Sequence, residues 1–404
     1  MSRPNASGRS VEEELDATLP MTAEETRLGA PGTETAEENA EPKFFASPKR
    51  IVQTLVIALL AAVGVYLLFP QIVGVSDDPG AKDLDNGDPL WIGLAVAFVL
   101  LMFASYVALF KGVVGEAVRL RWRESYEITM AGLAATRLFS AGGAGGIILT
   151  YWALRKAGMA QRDAAARMVA FNVLLYAIYM LTLVINGILL RTGVFNGPAP
   201  AGMTVVPAAI AGGVIFVFLL VALVPGDLEK RFSGASQENL WGRTLRRLAT
   251  VPSTLAVGTR EAIRFIREPS RGGRGGLAVI GAIGFWATQI AILAAAFKAF
   301  GVHVSLAVIV QGFFVGMVAN LLPLPGGVGG VDAGLVGAFV IFGLPANVVF
   351  PAILVYRLIA FWLPLLPGIV AFFQLRRTVH RWEQRTPPLV GTDSTEALPG
   401  AITS

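Results

Sequence analysis

Three ionisable side chains lie within strongly apolar stretches of this chain, namely Arg137, Asp332 and Arg357. A charge at membrane depth costs at least about 2.5–3.5 kcal/mol on insertion scales, so such residues are functional candidates. Two guanidinium groups against one carboxylate leave one positive charge over, which suits a phosphate that a planar guanidinium can bind through two parallel hydrogen bonds. The alternative is that Arg357 and Asp332 form a purely structural ion pair while Arg137 snorkels to a membrane surface.

A break rich in proline and glycine, at 323–330, directly precedes Asp332. Irregular backbone at membrane depth is tolerated only where protein or a water-filled cavity covers it. The helix that follows would begin near the bilayer midplane, where its dipole and its free N–H groups favour an anion. Asp332 would lie in the first turn of this helix, where a carboxylate can also satisfy N–H groups of its own helix. Both roles stay open for Asp332.

The composition places these residues in a membrane. Of the 404 residues, 54% are hydrophobic and 15% are charged, and the mean hydropathy is +0.62. Runs of about twenty apolar residues are long enough to cross about 30 Å of hydrocarbon. These runs lie at 51–69, 90–110, 169–190, 205–224, 277–300 and 348–373. The predicted fold class is therefore an all-α polytopic integral membrane protein.

Two further apolar stretches, 128–154 and 304–343, are irregular and rich in glycine. Cytoplasmic loops retain Lys and Arg, so loop charge indicates the side on which each loop lies. The loops on both sides of 128–154 are basic, which is inconsistent with a single crossing. We therefore predict that 128–154 enters the membrane, turns at 141–146 and leaves on the same side, and that 304–343 does so from the opposite face. Two thin crossings within 304–343 are the alternative.

The two irregular stretches also resemble each other. GGAGG at 142–146 aligns with GGVGG at 326–330, which indicates a weak inverted repeat, although apolar glycine-rich segments also align by chance. Inverted repeats with interrupted helices at matching positions are typical of the central site of a transporter. The matched pairs are Gly132 with Gly316, Ala135 with Ala319 and, after a one-residue shift, Gly158 with Gly343 and Asn172 with Arg357.

These patterns divide the chain into three parts. Residues 1–48 are acidic and poor in large apolar side chains, which predicts a disordered cytoplasmic tail. Residues 49–377 form the transmembrane domain, with about six full crossings and two re-entrant hairpins, and 378–404 form a polar cytoplasmic tail. The basic cytoplasmic loop 225–276 carries amphipathic helices that lie on anionic lipid, or else it is an ordinary basic loop. We expect a multi-pass protein of the cell (inner) membrane with both termini cytoplasmic.

Signatures of enzymes are missing from the sequence. It contains no phosphate loop, no H-E-x-x-H and no G-x-S-x-G, and we expect no cofactor. The chain has no cysteine and only two histidines, His303 and His380, so we expect no metal site. A basic soluble fold with interleaved aromatic residues is absent, so no nucleic-acid partner is expected. The expected partners are membrane lipids with an anionic head group, and formation of a homo-oligomer is left open.

The region from Pro325 to Arg357 resembles the flippase-like membrane domain of the lysylphosphatidylglycerol synthases (the multiple peptide resistance factor group) and of their stand-alone relatives. The shared pattern is P-G-G-x-G, an acid three residues on, a glycine that ends the segment, and Y-R in the last span. The family usually has Glu at the position of Asp332, so this carboxylate is one methylene shorter. The resemblance covers about 51–377, and the residues that carry it are Pro325, Gly326, Gly327, Gly329, Asp332, Gly343, Tyr356 and Arg357.

This resemblance implies lipid translocation and adds residues to the predicted substrate-binding site. No aminoacyl-transferring domain follows Arg377, so we expect transport of an anionic or aminoacylated phospholipid, or of a lipid-linked phosphate, rather than lipid aminoacylation. One alternative is an intramembrane transferase that uses Asp332 or Glu116, and another is a non-transporting partner subunit that binds through the acidic tail. The predicted substrate-binding residues are Arg137, Asn172, Asn320, Gly326, Gly327, Gly329, Asp332, Tyr356 and Arg357.

Overall fold

The computed structural model describes residues 87–115, 118–138, 144–223, 240–268, 274–321, 327 and 329–385. All regular structure within these residues is helical. The predicted tail 1–48 and the first predicted span, 51–69, lie outside the described residues. The helices are α1 (Pro89–Val114), α2 (Trp122–Leu138), α3 (Ala144–Lys156), α4 (Gln161–Arg191), α5 (Ala201–Leu223), α6 (Leu240–Arg267), α7 (Arg274–Ala299), α8 (Leu306–Met317) with a 3-10 turn (Val318–Leu321), α9 (Gly330–Ile341), α10 (Ala346–Arg357) and α11 (Leu365–Arg385).

Five helical segments of the described chain are long and apolar enough to cross a membrane. Four are single helices, α1, α4, α5 and α7, and the fifth is the continuous run Ala346–Gln384. That run joins α10 to α11 through a π-helical turn, Leu358–Trp362. Each segment coincides with a span predicted from hydropathy, so the all-α polytopic class is confirmed. Helix α11 continues to Arg385, beyond residue 378, where the polar tail is predicted to start.

Two lysine–tryptophan pairs lie at opposite ends of α1. The Lys111 ammonium lies 4.9 Å from the ring centroid of Trp122, and the Lys298 ammonium lies 4.5 Å from that of Trp91. Trp91 and Lys111 are separated along α1 by about 30 Å at 1.5 Å per residue, which equals the thickness of the hydrocarbon core. Amphipathic aromatic and basic side chains favour the two membrane–water interfaces, so these pairs indicate where α1 enters and leaves the bilayer.

Helices α1 and α7 form a tightly packed antiparallel pair. A Cβ atom on Gly112 would lie 2.5 Å from Ala278 N, and one on Gly281 would lie 2.3 Å from Leu109 N. Small residues allow helix backbones to approach closely where lipid supplies no hydrophobic driving force. The contact of Gly112 with Ala278 is followed by that of Leu109 with Gly281, so residue numbers decrease along α1 while they increase along α7. The two helices therefore run in opposite directions.

Both stretches predicted as hairpins fold into pairs of short antiparallel helices, α2 with α3 and α8 with α9. Helices α8 and α9 have 12 residues each, which gives about 18 Å of length, well short of the hydrocarbon core. A Cβ on Gly146 would lie 2.4 Å from Gly132 O, and one on Gly334 would lie 2.6 Å from Gly316 O. The short helices and their glycine contacts support re-entrant hairpins over full crossings.

The second helix of each hairpin ends in the same way. Gly158 and Gly343 have φ angles of 91° and 92°, which a glycine adopts without the steric penalty of a Cβ. Gly158 N donates to Arg155 O at 3.0 Å and Gly343 N to Val340 O at 2.9 Å. In both places the next residue donates back to a carbonyl five positions earlier, which completes a Schellman cap.

The order of elements matches across two units, α1–α4 and α7–α10. Each unit has a long helix, a hairpin closed by glycine contacts, a Schellman cap and then another helix that starts at Gln161 or at Ala346. The first helices, α1 and α7, both have 26 residues and run antiparallel, so the two units have opposite orientations. This architecture supports the inverted repeat that the sequence alignment predicts.

Helix α6 forms much of the predicted basic loop and packs against α4 and α5. A Cβ on Gly258 would lie 2.5 Å from Val169 Cγ1, and an Arg167 guanidinium nitrogen lies 3.5 Å from a carboxylate oxygen of Glu261. The second half of α6 is therefore attached to the start of α4. The predicted contact of its first half with anionic lipid stays a prediction, because side chains before residue 254 are outside the described part of this helix.

The hairpin contact in α9 can be tested with two glycines of the same helix. Gly334→Ala should lower thermal stability, because overpacking at the Gly316 backbone costs about 1–3 kcal/mol. Gly337→Ala is the matched control, since nothing lies within 4 Å of a Cβ there, and Ala raises helix propensity by about 1 kcal/mol. Thermal unfolding in detergent, followed by size-exclusion fluorescence, measures both. Equal melting temperatures for the two variants would contradict the contact.

The opposite orientation of the two hairpins can be tested by cysteine labelling, because the chain has no cysteine of its own. Single cysteines at Ala160 and Pro345 mark the ends of the two hairpins. In right-side-out vesicles an impermeant maleimide should label Pro345→Cys directly and Ala160→Cys only after permeabilisation. Labelling of both from one side would contradict an inverted repeat. His303→Cys, before α8, should behave like Pro345→Cys.

Candidate functional site

Asp332 and Arg357 form an ion pair between the second hairpin and the last membrane-spanning run. Arg357 Nε lies 2.8 Å from Asp332 Oδ1, and the two side chains are only 8% and 16% exposed. The other carboxylate oxygen, Asp332 Oδ2, accepts a hydrogen bond from Gly329 N at 2.8 Å. Asp332 therefore caps its own helix and pairs with Arg357, so two of the roles considered from the sequence occur together.

Glycine is required at two positions of the break before α9. Gly327 and Gly329 have φ angles of 62° and 80°, values that side-chain-bearing residues rarely adopt. A Cβ on Gly327 would also lie 3.0 Å from Asn320 Oδ1. Asn320 is exposed at the end of the 3-10 turn, so the structure brings it next to the break as the sequence predicts. Gly326 lies outside the described residues.

A π-helical turn lies immediately after Arg357. Leu363 N donates to Leu358 O at 3.0 Å, five residues back, which widens the turn. Pro364 has no N–H, so it cannot donate the α-helical hydrogen bond to the carbonyl of Ala360. The turn thereby leaves main-chain carbonyls at membrane depth that need donors from elsewhere.

Arg137 supplies these donors from the last turn of α2. Its two terminal nitrogens donate to Phe361 O at 2.5 Å and to Ala360 O at 2.9 Å. Arg137 is 9% exposed, so its guanidinium group is buried against α10–α11 rather than directed to a membrane surface. The first hairpin is thus attached to the last membrane-spanning run through a charged side chain and a broken helix turn.

The ring of Phe361 brings the two arginines together. The guanidinium carbon of Arg357 lies 4.5 Å from the ring centroid and that of Arg137 lies 5.0 Å from it. A cation over an aromatic face is attracted by the quadrupole of the ring, and more so where water is excluded. A positive group of the first hairpin and one of the last membrane-spanning run therefore lie close to the same aromatic ring, and Asp332 of the second hairpin pairs with Arg357.

Tyr356 lies near the charges of Arg137, Arg357 and Asp332, whereas Asn172 bonds within its own helix. Tyr356 is 2% exposed and its ring packs edge-on against Phe313 of α8 at 6.0 Å between centroids. It therefore contributes to the packing of α10 against the second hairpin. Asn172 donates to Met168 O, one turn back in α4, at 2.9 Å. Among the described contacts, none joins Asn172 to the three charged residues.

A second buried polar network, which sequence reasoning missed, positions the helix of Arg137. Glu127 of α2 is 1% exposed and accepts hydrogen bonds from Arg123 Nε at 2.9 Å and from Thr378 Oγ1 at 2.6 Å. Farther along α2, a Cβ on Gly368 would lie 2.7 Å from Ala134 Cβ, so α2 and α11 are in close contact. In the sequence, the only sign of this network was that Arg123 and Glu127 are four residues apart. Such a pair resembles an ordinary ion pair on the surface of a helix.

The Asp332–Arg357 pair predicts non-additive effects on stability. Asp332→Asn and Arg357→Gln should each destabilise the protein, by about 3–5 kcal/mol, because each leaves a largely buried charge without its partner. The double variant should recover much of this loss in a thermal-unfolding cycle. Glu383→Gln is the control, because its pair with Lys156 is 47% exposed at the glutamate and should contribute less than about 1 kcal/mol. Additive losses would contradict a coupled pair.

Comparison with known proteins places this architecture in a family. The sequence pattern of the family described as "Lysylphosphatidylglycerol synthase TM region" matches residues 51–368. A UPF0104 membrane protein of Methanothermobacter thermautotrophicus is 25% identical over 335 residues, which cover 78% of this chain and 94% of the relative. A further match to a UPF0104 membrane protein of the same organism is 34% identical over 110 residues, or 27% of this chain and 33% of the relative.

The family pattern spans both hairpins and extends into the last membrane-spanning run, so it includes Arg137, Asp332 and Arg357. It confirms the resemblance that the Pro-Gly-Gly-x-Gly segment and the Tyr356–Arg357 pair indicate. This multi-pass membrane protein belongs to the lysylphosphatidylglycerol synthase TM-region family.

Proposed function

We propose that this protein translocates a lipid with a phosphate-containing head group between the leaflets of the cell membrane, and that Arg137 and Arg357 bind the phosphate. The lipid is an anionic or aminoacylated phospholipid, or a lipid-linked phosphate. The observation that carries the proposal is the placement of two buried guanidinium groups over the ring of Phe361, at the junction of two oppositely oriented hairpins.

The charges of this cluster favour an anion. Asp332 offsets the charge of Arg357 through the 2.8 Å ion pair. The hydrogen bonds of Arg137 in the described chain go to two uncharged carbonyl groups, which accept from two of its N–H groups but do not offset its charge. An intramembrane cation without a counter-ion is costly. A phosphate group would offset this charge and would accept charge-assisted hydrogen bonds from a guanidinium group.

The location of the cluster fits a transport cycle. In transporters built from inverted repeats, the substrate site lies near the midplane between the repeats, and one repeat rocks against the other around it. Arg137 belongs to the first repeat, whereas Asp332 and Arg357 belong to the second. A phosphate held by both arginines would therefore contact the two parts whose relative motion would expose the site to each leaflet in turn.

The transferase alternative receives less support from the same contacts. Both carboxylate oxygens of Asp332 accept hydrogen bonds, one from Arg357 and one from Gly329 N, which suits a positioning group better than a general base. Glu116, the other candidate base, lies outside the described residues. So does the acidic tail on which the partner-subunit alternative depends.

A liposome assay tests the proposal directly. Purified protein is reconstituted with fluorescent phosphatidylglycerol, and access of dithionite to inner-leaflet lipid is followed. The wild type should increase the accessible fraction, and Arg137→Gln and Arg357→Gln should abolish that increase. Arg191→Gln, at the exposed end of α4, should leave it unchanged. Parallel assays with phosphatidylcholine, aminoacylated phosphatidylglycerol and polyprenyl phosphate would identify the head group.

The double variant Asp332→Asn/Arg357→Gln separates a structural role from a binding role. If Arg357 binds phosphate, the double variant should regain stability but should not regain translocation. Recovery of both properties would show that Arg357 serves only to neutralise Asp332, which would overturn its assigned role. If the wild type moves none of these lipids, the proposed function is wrong.

A further inference from the structure

An apolar groove with a volume of about 750 Å³ lies between α1, α2 and the start of α11. Helix α1 lines it from Val96 to Val107, α2 contributes Trp122 and Tyr126, and Leu363 and Pro367 form its far wall. The groove exists because α1 packs chiefly against α7 while α11 packs chiefly against α2, which leaves the facing sides of α1 and α11 apart. No step of the proposed phosphate site uses this groove.

The dimensions of the groove match one hydrocarbon chain. From Val96 to Val107 helix α1 rises about 17 Å, whereas one leaflet accounts for about 15 Å of the hydrocarbon core. Val99 and Val107 form a buried floor, with exposures of 2% and 6%, whereas Leu100 at the rim is 70% exposed. Within the part of the chain that the structure describes, the groove is thus open sideways to the lipid chains, and its lining is almost wholly apolar.

Basic residues lie in and next to the segment that contributes Trp122 and Tyr126 to one end of the groove. The Lys111 ammonium lies over the ring of Trp122 and donates to Leu120 O at 2.8 Å. The described acids nearby are engaged locally, since Glu124 accepts from Arg121 N and Glu127 from Arg123. Four basic residues face these two acids at this membrane surface, which favours an anionic head group. The four are Lys111, Arg119, Arg121 and Arg123.

The opposite wall of the groove leads to the arginine cluster. Leu363 lies two residues after Phe361, whose ring contacts both guanidinium groups. We infer that the groove holds one acyl chain of an anionic phospholipid from the adjacent leaflet, with the phosphate beside Lys111 and Trp122. To reach Arg137 from this position, the head group would move inward by about 22 Å, the rise of α2 from Trp122 to Arg137. Only this last step rests on the proposed function.

Photolabelling tests occupancy of the groove. The full-length protein is reconstituted with phosphatidylglycerol that carries a diazirine in the middle of one acyl chain, and adducts are mapped by mass spectrometry. The wild type should carry adducts on the floor residues Val99 and Val107. Ala104→Trp, which fills the groove from an exposed position, should lose most of these adducts. Ala97→Trp, equally exposed on α1 but outside the groove, should retain them.

A pair of lysine variants tests the head group. Groove adducts from phosphatidylglycerol should exceed those from phosphatidylcholine, and Lys111→Gln should reduce this preference about tenfold, as expected for loss of one charge-assisted contact. Lys298→Gln is the matched control, because Lys298 also lies over a tryptophan but at the opposite end of α1. Equal preferences in the two variants would overturn the assignment of the head group to Lys111.

The results separate this inference from the proposed function. Labelling that is confined to exposed positions such as Leu101, and that Ala104→Trp does not change, would overturn the acyl-chain site even if lipid translocation is observed. Groove labelling with the expected response to Ala104→Trp, in a protein that moves no lipid, would support the acyl-chain site while the proposed function fails.

Discussion

The two hydrogen bonds from Arg137 to the main chain of the last membrane-spanning run are the interaction on which the rest of the site depends. A guanidinium group at membrane depth needs acceptors, and a regular helix offers none because its carbonyls are already bonded. The π turn at Leu358–Trp362 and the missing N–H of Pro364 leave the acceptors at Ala360 and Phe361. A buried guanidinium group without acceptors and main-chain carbonyls without donors would each be costly, and the two hydrogen bonds satisfy both groups. The same turn places the ring of Phe361 between the two halves of the molecule.

The order of helices and the helix caps match between the two repeats, but the charged residues do not. Both hairpins close on glycine contacts and end in the same cap at Gly158 or Gly343. The paired charges, Asp332 and Arg357, belong to the second repeat, whereas the first repeat contributes Arg137. Asn172, which the repeat alignment matches with Arg357, instead bonds within its own helix. An inverted repeat thus supplies the framework, and unequal side chains give the cluster its excess of positive charge.

Much of the architecture could be predicted because membrane insertion constrains sequence strongly. Hydropathy located five spans that the structure describes, and loop charge together with glycine spacing predicted the two hairpins. The Asp332–Arg357 pair was foreseeable because two opposite charges in hydrocarbon gain much from meeting. Glu127 was not foreseeable, since its partner Thr378 is 251 residues away along the chain. The partners of Arg137 could not be predicted either, because they are backbone carbonyls and no pattern of side chains indicates them.

The sequence by itself determined the membrane class, the five spans that the structure describes and the identity of the charged residues, and it predicted the broken hairpins. Each of these follows from local hydropathy, charge or the conformational range of glycine and proline. Only the tertiary structure decided that Arg137 and Arg357 meet over Phe361 and that an apolar groove opens beside them. Those features depend on how helices distant in the chain pack against one another. Close approach at Gly281 and Gly368 sets that packing, and a single sequence carries no direct record of which helix each glycine contacts.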